Sequence, residues 1–363
     1  MKAPAFEFRV LDESHNEDLL AINRACPVEA VFTVLFDRGP NFFAWPKQAF
    51  EDFVYLGAFD SGRPVGYCAL GFHRSWVGGD WVTVAHIADA RVVSEARGQG
   101  LLLLFLQRFM EQFGHRVSLA CAVVMGGNRP AEKVASKWKV PAYPVLQSYP
   151  FDIVTLPLMR RFARTDDFQI RSAVLADAPA VAACIQQAYT GRFLAPHIDE
   201  DALLEMWNRD DGLGPKDWLL AEKGGRLVGA AAFSDEGRSR EIIIQKYHPR
   251  SLPLKAVFRL ATTIFRSAAP LPAPGGTLKR LTLRWPAVEE DDPAILRALV
   301  VAALSRYHGD GYHFIQASFA KGDPLKSALR GLWGYDSPNA LIVAGQGPEL
   351  TGTEIPFIGM GTI

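Results

Sequence analysis

What this 363-residue chain lacks narrows its chemistry. Its four cysteines, Cys26, Cys68, Cys121 and Cys184, include no Cys-x-x-Cys pair, so no disulfide framework is expected. Cys68 and Cys121 lie in apolar, strand-like runs and read as core thiols. Neither charge is in excess, with Lys+Arg and Asp+Glu both at 39, which argues against a dedicated nucleic-acid or anionic-membrane binder. The Leu101–Leu106 apolar run is far short of the roughly 20 residues a membrane span needs. The residues after Met1-Lys2-Ala3-Pro4 are polar and charged, unlike a signal peptide. A soluble, cytoplasmic, metal-free protein is the expectation, and its length leaves room for two or three domains.

What is present centres on one segment. Thr83 to Val93 is rich in β-branched and small residues and predicts a strand. Leu101 to Phe113 carries apolar residues at helical spacing and predicts a helix. Between them, Arg97-Gly98-Gln99-Gly100 supplies backbone that can approach a ligand closely, followed by helix N–H groups suited to an anion. Two familiar phosphate-binding loops do not fit: the third glycine of a dinucleotide fingerprint falls on Leu103, and no Gly-Lys-Ser/Thr triplet follows a strand.

The segment Arg97-Gly98-Gln99-Gly100-Leu101-Leu102 resembles the coenzyme A signature of the GNAT acyltransferases, Arg/Gln-x-x-Gly-x-Gly/Ala, with Leu102 in place of the last small residue. The family's second signature, Asn-x-x-Ala-x-x-x-Tyr, is similar to the segment that begins at Asn128: Asn128 and Ala131 match, and the tyrosine position is Ala135. The resemblance implies acetyl-coenzyme A, or another acyl-coenzyme A, as co-substrate and an amine, free or on a peptide, as acceptor. It implies donor-binding roles for Val92, Val93, Arg97, Gly98, Gln99, Gly100, Leu101, Leu102 and Asn128.

A second copy of the plan follows. Phe6-Glu7-Phe8-Arg9-Val10 and Phe168-Gln169-Ile170-Arg171 open the two halves at an offset of 162. The hairpins Phe53–Tyr67 and Trp218–Ala230 repeat at an offset of 163, with Ser-Gly and Gly-Gly at their tips. The expected fold is α/β (α+β): tandem GNAT-like domains over 1–160 and 167–346, each a mixed, mostly antiparallel sheet flanked by helices, then a tail over 347–363. In the second half the strand Lys279–Trp285 runs into Glu289-Glu290-Asp291-Asp292, whose carboxylates would repel a diphosphate. That copy reads as degenerate, and the oligomer as a monomer or homodimer.

Within the resemblance, His86 and Asp89 on the first strand are candidates for the base and for acceptor binding, and either is equally compatible with a structural role. Their odd spacing predicts opposite faces of the strand. The Tyr143 hydroxyl is a candidate substitute for the missing tyrosine as acid. The aromatic run Val31–Trp45, with Phe32, Phe36, Asp37 and Phe43, reads either as an acceptor or acyl groove or as packing against the second half. Three activities stay open: an N-acetyltransferase, a non-catalytic acetyl-coenzyme A sensor or scaffold, and a fatty-acyl or aminoacyl transferase of the same fold.

Overall fold

The first half lays down β1 (Glu7–Leu11), α1 (Asn16–Ala25), β2 (Val28–Glu29), β3 (Phe32–Asp37), α2 (Ala44–Ala49), β4 (Asp52–Asp60), β5 (Arg63–Val77), β6 (Asp80–Val92), α3 (Leu101–Phe113), β7 (Leu119–Met125), α4 (Arg129–Ser136) and β8 (Val145–Pro157). The second continues with β9 (Gln169–Ser172), α5 (Ala178–Tyr189), α6 (Glu200–Asn208), β10 (Trp218–Lys223), β11 (Arg226–Asp235), β12 (Glu241–Tyr247), α7 (Leu252–Ile264), β13 (Arg280–Val288), α8 (Pro293–Arg306), β14 (Phe314–Ala320) and β15 (Tyr335–Gly345). The computed structural model describes residues 6–29, 32–136, 144–162, 167–209, 213–265, 268–345, 350 and 352–360.

Among the described residues, twelve strands form one continuous sheet in the order β1-β4-β5-β6-β7-β15-β8-β14-β13-β11-β10-β9. Two separate sheets, one per half, are what the sequence suggests, and the difference lies in the last strands. β8, from the first half, pairs with β14 of the second, while β15, at the end of the second, pairs with β7 of the first. β8 and β15 also run antiparallel to each other at the centre. Each half therefore completes its sheet with the other's final strand.

Outside that exchange the halves repeat. β1-β4-β5-β6-β7 and β9-β10-β11-β13-β14 have the same order, antiparallel except for the last pair of each. A parallel pair needs a crossover, and α3 and α8 supply it. The hairpin tips take positive φ at both central residues, Ser61–Gly62 and Gly224–Gly225, which matches the twist of the strands they join. Leu101, Phe105 and Phe109 on α3 are buried against Leu56, Leu70, Phe72 and Ile87, as the helical spacing predicts. Within the tail, Phe357, Ile358 and Met360 are buried, and Phe357 N–H donates to the Phe193 carbonyl.

A second sheet, β12-β3-β2, joins the halves. Phe32–Asp37 of the aromatic run is its strand β3, and Phe32 packs edge-on to Tyr247 of β12 at 5.2 Å. Of the two readings of the aromatic run, packing between halves describes Phe32 and Phe36, both of which contact the Ile242–Phe258–Phe314 cluster.

Candidate functional site

β6 and β7 are paired only from Val84–Ile87 against Leu119–Ala122. Past Ile87, β6 stays with β5 and β7 stays with β15, so a gap opens between Ala88–Val92 and Val123–Met125. β6 bulges there: Asp89 has φ 51° and the register with β5 slips between Tyr67 and Ala69. The glycine turn follows immediately. Arg97 to Gly100 is exposed, with φ 80° at Gly98 and 78° at Gly100, and a Cβ at either would meet nothing within 4 Å. Gly100 caps α3 without any side-chain acceptor, so the first-turn N–H groups of Leu101 to Leu103 have no partner among the described residues. Leu101 is buried and Leu102 packs half-buried on the same core, so the leucines turn inward and leave the bend open. An open, twice left-handed turn beside a split between strands and an uncapped helix is a fit for a long, diphosphate-bearing substrate.

The remaining donor-site candidates are more engaged. The Val92 carbonyl accepts from Arg97 Nε at 3.0 Å, and Val93 N–H donates to the Val65 carbonyl. Gln99 Nε2 donates to the Glu95 carbonyl at 3.2 Å. The Asn128 side chain accepts from Ala131 N–H at 3.3 Å and so caps α4. The stretch of β6 that faces the gap, Ala88 to Val92, includes the first of the two valines.

Asp89 and His86 lie on the same face of the sheet, not opposite ones, because the bulge breaks the alternation. His86 stands opposite Gly71, whose Cβ position faces Phe50, and Asp89 accepts from the Tyr55 hydroxyl at 3.1 Å on that same side. The Asp89 side chain is 3 % exposed and sits 2.7 Å from Arg38 Nη1. Arg38 is enclosed by Phe42 and Trp45, at 4.7 and 4.4 Å, and also donates to Tyr55 at 3.0 Å. Burial works against that guanidinium's charge, but Asp89 and the tyrosines outweigh it and hold the pKa above its ordinary value. Asp89 is thus committed to a buried ion pair, which removes it as a group for the acceptor's charge. The Phe43 ring packs with Phe42 and Tyr55 around the same pair and is buried. Asp37 accepts from Gly39 N–H at 3.1 Å and lies 3.9 Å from Arg24, so it shapes a turn. Tyr143 lies outside the described residues.

His86 is differently placed. Its ring lies 4.4 Å from that of His73, and both line a cavity of about 430 Å³ between the halves. Burial pulls His73 down to about 4, and burial together with His73 pulls His86 well below its ordinary value, so both rings are neutral near pH 7. The first half contributes Phe50, Glu51 and Arg74 to this cavity; the second contributes Arg192, Asp199, Leu283, Arg284 and Trp285, and the tail adds Phe357 to Met360. His73, Arg38 and Arg284 carry no sequence motif, and only their three-dimensional neighbours single them out.

Residues 16–138 match the model of the acetyltransferase (GNAT) family. No curated protein matches the chain in sequence. Solved structures with a similar fold include a GCN5-related N-acetyltransferase from Sphaerobacter thermophilus (13% identity, 99% of this chain and 98% of that one, TM-score 0.56). Saccharomyces cerevisiae N-myristoyltransferase with bound myristoyl-CoA is another (13% identity, 94% and 83%, TM-score 0.62). A third is a GCN5-related N-acetyltransferase from Anabaena variabilis (14% identity, 93% and 72%, TM-score 0.54). Residues 16–138 are thus similar to the GNAT acetyltransferase family, and the fold is similar to GNAT-type structures over nearly the whole length of the chain.

Proposed function

We propose that this protein is an acyl-coenzyme A-dependent N-acyltransferase with its donor site in the first half and its acceptor site in the cavity between the halves. The observation that carries the reading is the gap between β6 and β7, which opens beside the Gly98–Gly100 turn and the uncapped start of α3. The N–H groups of Leu101 to Leu103 would hold the diphosphate, and Arg97 adds positive charge beside it. The pantetheine arm would lie along Ala88 to Arg91. The acceptor nitrogen attacks the thioester carbonyl carbon, the C–S bond breaks, and the nitrogen gives up one proton as the thiolate leaves. His86, neutral and on the cavity wall, is the residue placed to take that proton, with His73 behind it. Acetyl is the simplest donor. The second half, whose α8 starts under its own Asp292 carboxylate, is read as a non-binding copy.

The test is calorimetric titration with acetyl-coenzyme A, followed by free-thiol release over a panel of primary amines. Binding below about 100 µM with amine-dependent thiol release is the expected result for a substrate of this size. Absence of binding for every acyl-coenzyme A refutes the donor site. Binding without turnover of any amine favours the sensor reading, which Ala135 at the family's tyrosine position also favours.

A further inference from the structure

We propose that Arg284 anchors a carboxylate on the acceptor, so that the amine acylated here belongs to an amino acid or another amine that also bears a carboxylate. This rests on the reading of the chain as an N-acyltransferase. Arg284 lies on β13 and lines the inter-half cavity, yet makes no hydrogen bond or ion pair with any described residue. The second half's other cations on the cavity wall do have partners: Arg192 pairs with Asp291 and Asp323, and Arg209 with Glu205 at 2.5 Å.

Behind Arg284 the charges do not balance. The buried Glu236 carboxylate takes Arg240 at 2.5 Å and Arg280 at 3.3 Å, and Arg284 is the third guanidinium in its field. Burial drags the Arg284 pKa down to about 10, although Glu236 works the other way. A half-buried guanidinium with no hydrogen-bonded counter-charge is open to a ligand's anion. The planar fork of one guanidinium matches one carboxylate in two parallel hydrogen bonds.

The arginine is also held in place. Its guanidinium lies 4.2 Å over the Trp285 ring, and Trp285 stacks on Trp218 at 5.7 Å with planes 8° apart. Trp285 has φ 49°, a conformation costly for an aromatic residue, at the point where β13 has already parted from β14. The cavity wall also carries carboxylates, Glu51 from the first half, beside His73 and Arg74, and Asp199 from the second. An unpaired guanidinium and carboxylates on one cavity wall suit a molecule that bears both a carboxylate and an amine.

The experiment uses matched amines with and without the carboxylate, phenylalanine with phenethylamine and lysine with cadaverine, at saturating acetyl-coenzyme A. In the wild-type chain kcat/KM should favour the carboxylate member of at least one pair by tenfold or more. In Arg284→Gln that ratio should fall to about one through KM, while Arg284→Lys keeps part of it and acetyl-coenzyme A affinity stays within threefold. Equal kcat/KM within both pairs, or a preference that survives Arg284→Gln, overturns the anchor and leaves the transferase reading standing. If thiol release fails with all four amines, the transferase reading falls. The anchor is then decided by calorimetry with phenylalanine and lysine: binding that Arg284→Gln abolishes supports it, and no binding overturns it.

Discussion

The same place in the two halves has been built twice and furnished differently. β6 parts from β7 after four paired residues, and β13 parts from β14 after three, each with a bulge and a left-handed residue, Asp89 or Trp285, just beyond. In the first half an open glycine turn leads to a helix start with no side-chain cap. In the second, Glu289 is drawn to Arg226 at 2.8 Å, Asp292 accepts from Ala294 N–H, and Pro293 begins the helix. A carboxylate thus occupies the position the first half leaves for an anion. The bulge residues differ as well: Asp89 is locked to Arg38, whereas Trp285 supports an unpaired Arg284. The two halves share this backbone geometry and differ in their capping residues and charge.

The contrast can be broken in graded steps. Arg38→Met leaves the buried Asp89 with only the Tyr55 hydroxyl and the more distant Arg91, 3.6 Å away, and should cost about 3 kcal/mol in denaturant unfolding. The counterpart Trp285→Phe, which keeps most of the stacked area, should cost about 1 kcal/mol or less. Gly100→Glu should weaken acetyl-coenzyme A binding by about 100-fold (roughly 2.7 kcal/mol) with the fold retained by circular dichroism. Gly100→Ala, strained at φ 78° but uncharged, separates backbone cost from repulsion.

Acid should weaken the first half's sheet next. His73 and His86 have native pKa values below the unfolded 6.5, so the unfolded chain binds more protons as pH falls. Their contribution is intact above about pH 6.5 and is lost on the way down, His73 through about pH 4, at about 1.4 kcal/mol per pH unit for each ring. His73→Gln should reduce that slope by about half in unfolding midpoints measured from pH 7 to 4. His313 in the second half is shifted the same way and leaves a residual slope. Asp292→Ala should cost about 1 kcal/mol as a lost helix cap and leave acetyl-coenzyme A affinity unchanged. A gain of binding in that variant would show that the cap alone silences the second copy.

Local pattern was a good guide where local forces decide. The run from Thr83 to Phe113 gave its strand, turn and helix, and the paired hairpins announced themselves by their Gly-containing tips. It failed where partners are distant. β3 is a strand because β12, some 200 residues on, completes it, and that pairing leaves only a run of aromatics in the sequence. The bulge at Asp89 adds a residue to one strand and so defeats alternation counting. Arg38 among Phe42, Trp45 and Tyr55 looks from sequence like one more residue of an apolar groove. The cavity itself has no linear signature, since its walls come from both halves and the tail.

The crossing of β8 and β15 has a mechanical corollary. Severing the backbone between Pro157 and Gln169 would yield two fragments still laced together across the middle of the sheet, each wedged between strands of the other. Either fragment expressed alone would lack the strand that sits between two of its own, so the two halves are tied into one folding unit.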